Sequence, residues 1–196
     1  MFLQTEQLDH MNDIEPMLSS LTKMSIQHYI LGRFAFCNAF FDTVGINTHR
    51  AFELLLKASI IKATQDKNVK KFGHSILDLY QKHCDLRIVD SAKRLKFIDA
   101  LQAFEEMRYP DSLDGQAIQI QLASKVICGT VVKFGNPPMM NVVSNLHETD
   151  LVFKEIMEQA SINPELVQLG LREDGKRALF NGNESFLDAT ITGSQY

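Results

Sequence analysis

Along most of the chain apolar residues recur at intervals of three and four, the period of a helix with one buried face. In residues 6–43 this spacing is carried by Met17, Leu21, Met24, His28, Leu31 and Ala35. Pro16 suits the first turn of such a helix. The run Ile30–Phe41 adds Phe34, Phe36, Phe40 and Phe41, and Gly45 is placed to end it. Asn47 or Thr48 then offers an N-cap to the clearest helix of the chain, His49–Thr64. Ala51, Leu54, Leu55, Ala58 and Ile61 line one side of it, and Phe52, Leu56, Ile60 and Ala63 cover much of the rest. A helix apolar nearly all round is buried on most faces. Its narrow polar stripe is His49, Glu53 and Lys57, each four residues apart.

Beyond a lysine-rich link at 65–72, Gly73 precedes a short helix over His74–His83, and a further amphipathic helix is expected over 91–107. Arg108-Tyr109-Pro110 breaks it, because proline disfavours the helical conformation in the residue before it. Asp114 can cap another helix running to about Phe134. Gly135-Asn136-Pro137-Pro138 is the strongest stop signal in the sequence. The pattern therefore predicts a helical bundle over residues 1–135 and a smaller helical or irregular appendage over 136–196. Within that appendage Asp150–Ala160 is expected to be helical, Glu165–Leu171 is a candidate short helix, and residues 178–187 suit either a small hairpin around Asn181-Gly182 or an irregular tail.

The order of these elements carries a family likeness. His49-Arg50-Ala51-Phe52-Glu53-Leu54-Leu55-Leu56-Lys57-Ala58 resembles the second-helix signature of HEPN domains. Gly73-His74-Ser75-Ile76-Leu77-Asp78-Leu79-Tyr80 resembles the next helix in that family, and Arg108-Tyr109-Pro110 the Arg-Tyr-Pro that comes later. The likeness spans about residues 25–135. It implies an all-α, up-and-down bundle, commonly a homodimer, in toxin–antitoxin, defence or RNA-processing settings, sometimes beside a nucleotidyltransferase-type antitoxin partner. Many HEPN proteins are metal-independent RNases, whose signature is an Arg with a His four to six positions further along. None of Arg33, Arg50, Arg87, Arg94, Arg108, Arg172 and Arg177 is followed by His at that spacing. The nuclease activity is therefore not carried over.

Composition and charge refine this picture without redirecting it. Hydrophobic residues make up 45% of the 196 positions and charged residues 22%, enough apolar material for a core without staples. The three cysteines are scattered, which suits free thiols in a reducing compartment better than disulfides or zinc. No signal peptide and no membrane-length apolar run is visible, so a cytoplasmic protein without membrane association is expected. The net charge of −4 conceals a basic middle: residues 50–96 hold 11 Lys and Arg against 5 Asp and Glu.

Helical i,i+4 spacing puts His49, Glu53 and Lys57 on one face, with Glu before Lys in the favoured ion-pair order. Buried charges must be satisfied. The stripe is thus either an ion-pair network that fixes helix register or the lining of a ligand pocket completed by His74, Arg108 and Tyr109. His49/Glu53 and His74/Asp78 each have metal-compatible spacing, but no metal site and no cofactor is assigned. Lys67, Lys70, Lys71, His74, Lys82, Arg87, Lys93, Arg94 and Lys96 form either a solvated face or a phosphate-facing patch, with Phe72 and Tyr80 able to stack a base. The expectation is a non-catalytic helical binding or assembly module, homodimeric and possessing no recognisable catalytic set. The alternatives are a metal-independent RNase with a non-standard site, and a domain binding a nucleotide or small anion; RNA or nucleotide is the candidate ligand.

Overall fold

The computed structural model describes residues 3–38, 40–103, 117–123, 131–134 and 139–186, and within these the side chains of 14–38, 40, 43–68, 71–102 and 146–186. Among the described residues six α-helices form the bundle: α1 (Leu3–Cys37), α2 (Phe41–Thr64), α3 (Ile76–Arg87), α4 (Leu95–Ala103), α5 (Leu146–Gln159) and α6 (Glu173–Phe180). Short 3-10 turns at Val69–Phe72, Ser91–Arg94 and Pro164–Gln168 join them. Among the described residues no helix is long and apolar enough to cross a membrane.

The expected helical bundle is present, and α2 is its axis. Ala51, Phe52, Leu55, Leu56, Ala58, Ile60 and Ile61 are all fully buried. Helix α1 runs antiparallel to α2: the Ser25 hydroxyl donates to the Ala51 carbonyl at 2.7 Å, and His28 meets Asn47 at 3.0 Å. The two helices approach closely at Gly32, where an added Cβ would lie 3.0 Å from the Thr48 hydroxyl.

The boundary between α1 and α2 falls earlier than the sequence suggests. Asn38 donates its side-chain amide to the Phe34 carbonyl, and the Phe40 N–H reaches back to the Ala35 carbonyl. These bonds close α1 before Ala39. Gly45, Asn47 and Thr48 therefore lie inside α2 instead of ending one helix and capping the next. Pro16 likewise lies well inside α1, not in its first turn. Farther along, Ser75 caps α3, accepting from the Asp78 N–H at 3.2 Å, so His74 precedes the helix that it was expected to begin.

Two further expectations are corrected. The helix expected from Asp114 to Phe134 is replaced by β1 (Ala117–Ala123) and β2 (Val131–Phe134), which join β3 (Met139–Asn145) in a sheet of order β1-β3-β2. Strand β1 pairs parallel with β3 and β2 pairs antiparallel to it. Ile118 and Leu122 are four apart, a spacing that fits a helix. With Ile120 between Gln119 and Gln121 they equally fit the two-residue period of a strand. The antiparallel strands β2 and β3 lie on either side of the stop signal at 135–138. Sheet and bundle meet where β3 leads directly into α5.

The residues expected to form an appendage share the core of the bundle. Val152, Phe153, Ile156 and Met157 of α5, Leu179 of α6 and Phe186 belong to the same buried cluster as α1 to α4. Phe153 stacks on Tyr29 at 4.2 Å between ring centres and packs edge-on to Phe52 at 5.5 Å. Residues 178–186 do not form a hairpin: α6 ends at Phe180 and a turn comes next.

Candidate functional site

Glu53 lies fully buried in the middle of α2. One of its oxygens, Oε1, accepts from Lys57 Nζ at 2.7 Å and meets His74 Nδ1 at 2.8 Å. The other, Oε2, accepts from Arg50 at 2.5 Å. Lys57 is nearly buried, Arg50 is one-third exposed, and His74 reaches well into solvent. Gly73 positions His74: its φ of +64° turns the chain ahead of α3, a conformation that side chains other than glycine rarely adopt. Burial pushes the Glu53 carboxyl up. Hydrogen bonds from Lys57 and Arg50, with the charges of both, outweigh burial and bring it down to about 2.

Of the residues singled out by sequence, the fold thus brings Glu53, Lys57 and His74 together. His49 is fully buried one turn before Glu53 on the same helix. Arg108 and Tyr109 lie outside the described residues. Arg50 is the addition: its i,i+3 relation to Glu53 is available from the sequence as an ion-pair spacing. Chemically, Glu53 is an acceptor whose charge is already matched, so it is poorly suited to take up a proton near neutral pH.

Two alternative readings of this region find no support in the geometry. His74 lies outside α3, so it and Asp78 are not an i,i+4 pair on one helix. No group of three or more potential metal ligands occurs among the described residues. Phe72 and Tyr80 are buried, and the ammonium groups of Lys71 and Lys82 lie 5.3 and 4.7 Å from the centre of the Phe72 ring. Neither ring is open to stack a base. Within the basic stretch Lys71 pairs with Asp66, while Lys93 and Arg94 both pair with Glu155.

A second polar centre has no counterpart among the sequence expectations. Arg33, fully buried on α1, forms an ion pair with Asp150 of α5. Its Nε donates to the Ala178 carbonyl at 2.8 Å and a terminal nitrogen to that of Asn181 at 2.5 Å. The Tyr29 hydroxyl donates to Asp150 at 2.6 Å and accepts from Asn183 at 3.0 Å. This network ties α1 to α5 and to the end of α6. Burial raises the Asp150 carboxyl above its ordinary value, against the lowering pull of Arg33 and Tyr29. A third cluster links three helices: the Ser59 hydroxyl meets His83 Nδ1 at 2.7 Å, and His83 Nε2 meets Gln159 at 2.8 Å. Ser59 and His83 are both buried, so the pair holds α2, α3 and α5 together and offers no surface nucleophile.

The surface of α1 is different in kind. Met24, Leu31 and Phe34 are exposed, Leu31 by 51%, and Phe40 just beyond the helix is exposed by 57%. Seven residues separate Met24 from Leu31 and three separate Leu31 from Phe34, so the three share one face of the helix. Known protein families, curated proteins and solved structures were all compared with this chain, and none matches.

Proposed function

We propose that this protein is a non-catalytic, HEPN-like helical assembly module that pairs with a second copy of itself through the outer face of α1. The observation that carries this reading is the exposed apolar stripe Met24–Leu31–Phe34 on a helix whose opposite side is committed to the core. Isolated exposed apolar residues are ordinary, but several aligned on one face mark an interaction surface. The polar centres point the same way. Glu53 and Asp150 each spend their charge on partners within the bundle, and the Ser59–His83 pair is enclosed. These groups hold helices in register, which is what a scaffold requires.

The competing enzymatic reading centres on His74, the exposed member of the Glu53 cluster. Pure protein incubated with labelled single-stranded RNA should leave it intact. Cleavage that disappears in His74→Ala would overturn the non-catalytic reading. Nucleotides should not raise the melting temperature, because only a ligand that prefers the folded state stabilises it.

A further inference from the structure

Helix α3 is joined to both α2 and α5 through the fully buried ring of His83. Its Nε2 faces the side-chain oxygen of Gln159 at 2.8 Å, and its Nδ1 faces the Ser59 hydroxyl at 2.7 Å. An amide oxygen only accepts, so Nε2 carries the ring proton and Nδ1 accepts from Ser59. A neutral ring thus satisfies all three groups. A second proton, on Nδ1, forces the hydroxyl to turn from donor to acceptor and places a positive charge in the core, where an unpaired charge is costly.

The surroundings do not balance that charge. On α3 itself, Arg87 reaches back to the Ser59 carbonyl at 3.3 Å and brings a like charge. Tyr80 stacks on the ring at 6.3 Å, and the Cys84 thiol next in the chain is buried. On α2, Lys57 is held by Glu53 and Lys62 by the Ser161 carbonyl. On α5, Glu155 is committed to Lys93 and Arg94, and Glu158 is exposed beside Lys154. Lys96 and Asp99 of α4 are exposed. Burial, with the charge of Arg87, accordingly holds His83 below its ordinary value of 6.5, against the pull of Gln159. The helix is also bounded by left-handed residues, Gly73 at φ +64° before it and Ile88 at φ +56° after it. Ile88 is β-branched and strained there, and undocking α3 relieves that strain.

We infer that Ser59, His83 and Gln159 form an acid-sensitive latch: protonation of His83 frees α3 from α2 and α5 and uncovers the Cys84 thiol. The latch is independent of assembly through α1. Its sign is fixed by linkage: docking is fully favoured above pH 6.5, the ordinary value of the opened chain, and weakens as pH falls through the folded value. Taking up one proton raises the opened fraction by at most about tenfold per pH unit.

The test labels the full-length protein with a dithiodipyridine reagent between about pH 7.5 and 5.5, the range in which histidine changes charge. Peptide mapping reads the rate at Cys84 against that at the exposed Cys37, which cancels the reagent's own pH dependence. In the wild type the ratio should rise several-fold on acidification, while amide exchange in α1 stays unchanged. In His83→Gln the ratio should be flat. Gln159→Glu puts a carboxylate against the ring, favours the protonated form, and should flatten or reverse the rise. A wild-type ratio that does not change overturns the latch. So does a rise that persists in either variant, which assigns the trigger to another group, and Gln159→Glu alone decides if His83→Gln does not fold. Equal loss of protection in α1 and α3 means global unfolding, and likewise overturns it.

Discussion

Glu53 and Asp150 are both fully buried carboxylates facing cationic side chains, yet the bundle treats them in opposite ways. Glu53 has Lys57, Arg50 and His74 around it, two of them reaching water, and its pKa falls to about 2. Asp150 is paired with Arg33, which also serves two backbone carbonyls, and burial raises its pKa against that pull. Burial alone therefore does not set the sign of a shift. The hydrogen bonds and cations set against the depth of burial decide which effect wins.

Removing each carboxylate in turn should separate the two centres most strongly. Asp150→Ala strands the Arg33 charge in the core, and breaking a buried pair in this way costs about 3–5 kcal/mol. Urea unfolding should show that loss, with α6 the first element to lose amide-exchange protection. Glu53→Gln should cost less, about 2–3 kcal/mol, because Arg50 and His74 can turn to water and only Lys57 remains enclosed. An equal loss in both variants would mean that solvent contact does not matter at these sites.

Titration separates the two centres by sign. The folded pKa of Glu53 lies below its unfolded value of 4.5. Its contribution of about 3 kcal/mol is therefore present above pH 4.5 and is lost as pH falls toward 2. Asp150 has a folded pKa above its unfolded 3.8, so its own contribution becomes more favourable as pH falls through the folded value. Stability measured against pH should be less acid-sensitive in Glu53→Gln than in the wild type. In Asp150→Asn it should be more acid-sensitive. Matching slopes in all three proteins would refute the opposite signs.

Two smaller effects probe the backbone. Gly32→Ala drives a methyl group to 3.0 Å from the buried Thr48 hydroxyl and should cost about 1–2 kcal/mol by forcing α1 from α2. Ile88 ends α3 with φ +56° while 96% exposed. A β-branched residue is strained in that region, so Ile88→Gly should stabilise the fold by about 1 kcal/mol, a rise of about 2–4 °C in melting temperature.

The same two centres measure what the sequence makes legible. Glu53 and Lys57 are legible because helical spacing alone places them together, and Arg50 is within reach of the same rule. Arg33 and Asp150 stand 117 residues apart. No local rule joins them, and the one signal is an arginine interrupting an apolar run. Helices α2, α3, α4 and α5 can be read from periodicity. Strand β1 cannot, because Ile118 and Leu122 satisfy the helical and the strand period at once. Nor can the role of α5 and α6, since a proline-rich stop marks an interruption without showing whether the chain beyond it rejoins the core.

In this protein the charged centres hold the bundle together, and we propose that the exposed face of α1 assembles two copies. The solution mass of the wild-type protein by light scattering, beside that of Leu31→Asp, decides the matter. The chain weighs 22.2 kDa. The wild type should scatter at twice that mass and Leu31→Asp at the single-chain mass, both with unchanged helical circular dichroism. A wild-type mass of one chain at the highest attainable concentration would refute assembly through α1.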